Sequence, residues 1–192
     1  ENLDSSLSVS RRSLYNLRDQ AVKRREKWGS DGTTAVLAHG ANPGIVSHLV
    51  KKALLNIAKD NNLNISTPIN REEWAKLAQL LDIKVIHIAE RDTQVPANRK
   101  EVGEFVNTWS IEGLVGEGSQ PAELGWGSHE KTFPEDGGRH DFGDKSAIYL
   151  NKPGAAVRVR TWLPLAGPQI GYLITHNEAI SIASYFTVGE GD

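Results

Sequence analysis

The stretch AIYLNKPGAAVRVRTWLPLAGPQIGYLIT, residues 147–175, decides the fold. Apolar and β-branched residues gather there in short runs at 147–151, 156–162 and 170–175, separated by Pro- and Gly-containing connections. Such runs read as strands, and linkers this short join only antiparallel neighbours, because a parallel crossover needs about a dozen residues or more. The late part of the chain is therefore expected to form antiparallel sheet. A helix at 178–186, capped by Asn177, follows it.

Upstream, the periodicity turns helical. Ser8 or Ser10 can cap a first helix reaching about residue 28, with a thin apolar stripe of Leu14, Leu17, Ala21 and Trp28. Residues 33–38 read as a strand, and Gly40-Ala-Asn-Pro-Gly44 turns the chain into the most regular helix, where Ile45, Leu49, Ala53 and Ile57 run beside Val46, Val50, Leu54 and Ala58. Asn70 with Glu73 resembles a capping box ahead of Trp74, Leu77, Ala78 and Leu81. Residues 83–90 and 105–110 read as further strands, and 111–145 as a long glycine-rich connection. Helices early and strands late give an α/β chain of the α+β type: a mixed, largely antiparallel sheet covered by helices, with 1–32 as N-terminal helix and linker and 33–192 as one domain.

With 22 basic and 24 acidic residues and no long run of either sign, no broad field attracts nucleic acid or a membrane surface. No apolar run approaches the roughly 20 residues that span a bilayer, and the beginning lacks signal-peptide order, so a soluble cytoplasmic protein is expected. Cysteine is absent, which removes disulfides and thiolate metal sites. The six histidines fall in no zinc-binding spacing, and no metal is expected. Neither a dinucleotide fingerprint, nor a phosphate loop, nor a G-x-S-x-G elbow occurs. What remains is a concentration of acids and indoles between 87 and 127: Glu90, Trp109 and Glu117, with Glu112, Glu123 and Trp126 nearby. Carboxylates and an indole face both attract an ammonium group, so this constellation points to amine chemistry.

The strings GANPGIVSHLVKKAL from Gly40, REEWAKLAQ from Arg71, IHIAERDTQ from Ile86, FVNTWSIEGLVGEGSQPAELGWG from Phe105 and YLITHNEAISIA from Tyr172 closely resemble the bacterial homospermidine synthase family, of the saccharopine dehydrogenase-like group. The likeness runs from about residue 30 to 188. It implies an NAD-dependent enzyme that oxidises putrescine to an imine, joins it to a second putrescine with loss of ammonia, and reduces the product to homospermidine. It also implies that 33–192 is an incomplete substrate-binding and catalytic domain, with a Rossmann NAD domain missing upstream, inactive alone and homodimeric in the whole enzyme. Carried over residue by residue, the family's pocket falls on Asn42, Glu90, Trp109, Glu117 and His176. Glu90 and Glu117 would then hold ammonium ends and Trp109 would face the cation. His176 would exchange protons, and Asn42 would orient an amine or the nicotinamide.

Plainer readings stand beside these. Trp109 can be a core aromatic, Glu90 a surface ion pair, Glu117 a solvated loop residue, Asn42 a helix cap, and His176 a residue that trims a helix start. Trp126 and Glu123 read as structural or rim residues. A carboxynorspermidine- or saccharopine-type NAD(P) dehydrogenase would need a carboxylate-binding arginine, for which Arg91, Arg158 and Arg160 are the candidates. A non-catalytic polyamine-binding fragment is the third alternative.

Overall fold

The computed structural model describes residues 4–89, 93–107 and 109–189. A short 3₁₀ turn at Val9–Arg12 leads into α1 (Leu14–Trp28), followed by α2 (Ile45–Asp60), α3 (Arg71–Leu80) and α4 (Ile111–Ser119). Then come β1 (Pro121–Gly125), β2 (Gly137–Arg139), β3 (Ala147–Pro153), β4 (Arg158–Leu163), β5 (Gly167–Tyr172) and α5 (Asn177–Phe186). All described strand pairs are antiparallel, as the short linkers require, but they form two sheets rather than one: β1-β3-β2 and β4-β5. No helix among the described residues is long and apolar enough to cross a membrane.

The α5 helix is the hub. Leu54 and Ala58 of α2 pack with Trp74, Leu77 and Ala78 of α3, and Tyr185 and Phe186 of α5 close that cluster. On another side Ile180 of α5 packs with Leu14 and Tyr15 of α1 and Ala147 of β3. The α1 helix does not dock along the expected stripe, since Leu17 and Trp28 are exposed. Polar contacts complete its seat: the Arg18 guanidinium donates to Ser184 Oγ at 2.6 Å, and Tyr15 donates its hydroxyl to Asp144 at 3.0 Å. Its cap is Ser13 rather than Ser8 or Ser10, with Ser13 Oγ accepting the Asn16 amide.

The capping box at α3 is formed. Asn70 Oδ1 accepts the Glu73 amide at 2.9 Å, while the Glu73 carboxylate accepts the Ile69 amide at 2.8 Å. Asn70→Ala is expected to cost about 1 kcal/mol of stability and Asn70→Gly only a few tenths, read from urea midpoints.

Three expected strands are not strands. The described residues of 33–38, 83–90 and 105–110 join no ladder, and Val36, Leu37, Val85 and Phe105 are exposed. Branched and aromatic residues favour extended backbone, but a strand also needs a neighbour's amides and carbonyls, which no described segment supplies. The supposed loop at 111–145 instead opens with α4. Ser110 Oγ accepts the Gly113 amide and caps the helix, and its glycines serve close packing: a Cβ at Gly113 would lie 2.5 Å from the Trp109 ring. Glu117 is thus a helical residue.

Candidate functional site

The four-residue link from β5 into α5 places His176, in extended backbone, at the N-cap of α5. Its side chain does not cap the helix. Instead, Nε2 lies 3.1 Å from Glu117 Oε2, and Nδ1 lies 3.3 Å from both Glu178 Oε1 and Asn42 Oδ1. Every one of these neighbours is an acceptor, so only a ring protonated on both nitrogens satisfies the set. The hydrogen bond to Glu178 and the charges of Glu178 and Glu117 outweigh the burial penalty and raise the imidazole to about 9. A cation at a helix N-terminus opposes the helix dipole, and the two carboxylates offset that cost.

Each partner comes from a different part of the chain. Asn42 sits in the Gly40–Gly44 loop, which closes tightly enough that a Cβ on Gly44 would lie 2.3 Å from the Gly40 oxygen. Glu117 projects from the end of the second turn of α4, and Glu178 from the first turn of α5. Glu178 is 3% exposed, and its second oxygen, Oε2, is buried without a hydrogen-bond partner among the described residues. A buried carboxylate oxygen left unpaired is costly, and a cationic donor removes that cost. Asn42, His176 and Glu178 line a wide cleft of about 1370 Å³, which β4 and β5 also border.

Trp109 lies two residues before α4, 57% exposed, with its ring resting on Gly113. Residues 109, 113 and 117 are spaced by four, so ring, glycine and Glu117 share one helical face. The structure therefore gathers Asn42, Glu117 and His176 directly and sets Trp109 along the same helix. Glu90 and Arg91 lie outside the described residues. Arg158 and Arg160 are exposed on β4, Arg160 on the cleft wall.

Sequence reading missed Glu178, because an acid in a first helical turn ordinarily only complements the dipole. It also left Glu123 as a structural or rim residue. Glu123 is in fact buried on β1, its two carboxylate oxygens accepting the Leu14 and Tyr15 amides at 2.7 and 3.0 Å, and burial pushes it up to about 7.

The loop before α2 does not offer a pyrophosphate cradle. At the start of α2, where a pyrophosphate would seek free amides, the amides of Ile45, Val46 and Ser47 are already bonded to Gly40, Ala41 and Gly44 carbonyls. Asn42 turns its oxygen to His176. Among the described residues, no group of three or more His, Cys, Asp or Glu could hold a metal ion.

The saccharopine dehydrogenase C-terminal domain family matches residues 40–192. The chain is 52% identical over 188 residues to the homospermidine synthase of Mesorhizobium japonicum, and 53% identical over 186 residues to that of Blastochloris viridis. Each match covers 96% of this chain but only 38% and 39%, respectively, of those relatives. The crystal structure of the homospermidine synthase from Legionella pneumophila in complex with NAD is similar with a TM-score of 0.83 at 52% identity, covering 95% of this chain and 39% of that one.

Proposed function

The chain belongs to the saccharopine dehydrogenase C-terminal domain family, and from that membership we propose that it is the amine-binding part of a homospermidine synthase. The reaction joins two putrescines into homospermidine with release of one ammonia and uses NAD. One observation carries the reading: an imidazolium held between Glu117 and Glu178, beside a buried carboxylate oxygen with no donor among the described residues. Two carboxylates and one imidazolium leave the cluster with one net negative charge, matched to one ammonium.

The assignments of Asn42, Glu117, Trp109 and His176 follow from this. An ammonium end of the diamine donates to Glu178 Oε2 and to Glu117, and the indole of Trp109 covers the cationic carbon-nitrogen unit. With an imidazole near 9 and an alkylammonium near about 10.4, His176 and the amine exchange a proton over a small gap. The proton at Nε2 goes to the departing nitrogen and is regained from the incoming ammonium. Asn42 holds Nδ1 from the other side. Glu90 keeps the role the resemblance implies, the second ammonium end.

NAD enters the proposal as a group held chiefly by other polypeptide. Support comes from the share of the relatives' length spanned here and from the unpaired segments at 33–38, 84–87 and 105–106, whose exposed Val36, Leu37, Val85, Phe105 and Val106 suit addition to a neighbouring domain's sheet. On this reading 1–32 is a helix and linker and 33–192 a substrate domain that is inactive alone. Homodimerisation of the whole enzyme and a cytoplasmic setting belong to the same proposal.

The test joins this domain to a dinucleotide domain of the family and supplies putrescine with bound NAD. Homospermidine should accumulate with ammonia and no net NADH. A continuous rise of NADH would replace this reading with a dehydrogenase of the carboxynorspermidine or saccharopine type. Putrescine should release heat on titration into the 192-residue chain itself, and silence at millimolar ligand would count against an amine site.

A further inference from the structure

We infer that Thr175 is a positioning residue for His176, holding the segment that carries the imidazole by tying it to the open edge of β1. β1 is an edge strand of its sheet, and because the Trp126 amide bonds to Ser146 and the Gly154 amide to Gln120 on the β3 side, the alternate residues Pro121 and Glu123 aim their backbone groups at the open edge, where no described strand pairs them. Thr175 Oγ1 supplies both needs: it accepts the Glu123 amide at 2.9 Å and donates to the Pro121 carbonyl at 3.0 Å. Thr175 is 2% exposed, so water does not substitute for it. A β-branched residue with one hydroxyl acting as donor and acceptor suits this place, and the next residue is His176.

The anchor extends to the N-terminal helix. Glu123, whose amide Thr175 accepts, has its carboxylate clamped by the Leu14 and Tyr15 amides at the start of α1. The α1 helix lies outside the residues that the family matches, yet it braces the strand against which the His176 turn is tied. A relay of hydrogen bonds between backbone groups and two buried side chains, Glu123 and Thr175, thus runs from α1 through β1 to the residue that precedes His176.

The groups facing His176 are Glu117 from α4, Glu178 from α5 and Asn42 from the loop before α2. Glu178 rides on the same turn as His176, so the partner lost if the turn drifts is Glu117. The imidazole titration therefore reports the turn's position, which a merely structural role for Thr175 would leave alone.

The inference deepens the proposed amine site and rests on it for its consequence, but not for its first readout. The His176 midpoint is followed by NMR in the 192-residue chain for wild type, Thr175→Val, Thr175→Ser and Thr175→Cys. The Val variant keeps the shape and loses both bonds, and its midpoint should fall by roughly one pH unit. Ser should match wild type, and Cys, a weaker donor in the same place, should fall between. Cys also keeps the test alive should Val fail to fold. An unchanged midpoint in a folded Val or Cys variant overturns the inference. In the same samples the putrescine dissociation constant should rise in Val, because Glu178 moves with His176 away from Glu117 and the two carboxylates no longer converge on one ammonium. Heat absent from wild type, with the midpoint still falling in Val, would remove the amine reading and leave the positioning role standing.

Discussion

His176→Gln should lower turnover of the assembled enzyme by about 10²- to 10⁴-fold, the range in which a positioned proton donor contributes. Gln can still donate from its amide to one carboxylate, but it carries no charge and no transferable proton. Glu117 and Glu178 then face each other's charge without the cation between them, and Glu178 is almost wholly buried. Binding should suffer less than turnover, because the freed carboxylates still attract an ammonium. A variant within threefold of wild type in kcat would show that the proton travels by another group. Stability carries a second signature with a definite sign. The imidazole is raised from 6.5 to about 9, so the folded state holds its proton more tightly than the unfolded chain. That contribution is fully present below about pH 6.5 and is lost as pH rises through about 9, a decline that the Gln variant should not show. Denaturant midpoints measured between those limits give the comparison directly.

How far this site could be read in advance depended on what each residue's environment has to announce. Strands β3, β4 and β5 were legible because alternation and Pro/Gly linkers are local, and α2 and α3 because their stripes and the Asn70–Glu73 box are local too. The helix α4 was not, since its glycines argue against a helix and only tertiary contacts explain them: Trp109 covers Gly113, and Gly118 sits against Ala155 and Ile174. Residues 33–38 and 83–89 have strand composition without a strand, as pairing is a property of the neighbour. Trp109 and Glu117 stood out as an indole and an acid close together, Asn42 and His176 entered through a resemblance, and the geometry joins Asn42, Glu117 and His176 by hydrogen bonds. Nothing local marks Glu178 or Thr175: Glu178 matters because it is buried against an imidazole that also holds Glu117, and Thr175 because it is buried against Pro121, more than fifty residues away.

Trp109→Ala should reduce turnover about 30-fold, with Trp109→Phe retaining a substantial part of the rate. The argument begins with charge: a desolvated cation over an indole gains about 2 kcal/mol, each 1.4 kcal/mol being a factor of ten in rate. In the isolated chain the ring is more than half exposed, so its effect on putrescine affinity there should be small, toward the lower end near 0.5 kcal/mol. The larger effect should appear only when a neighbouring domain covers the ring and removes water from it. That difference between isolated chain and assembled enzyme separates a cation holder from a core aromatic, because a core aromatic would destabilise the isolated chain when truncated and an exposed one does not. Gly113 offers an independent handle on the same ring. A methyl group there would meet three ring atoms at 2.5 to 2.9 Å, so Gly113→Ala must displace the indole while adding a better helix former. Turnover should fall in Gly113→Ala although every polar group of the site is intact. Equal rates for wild type, Trp109→Ala and Gly113→Ala would show that the ring's place over α4 is packing alone.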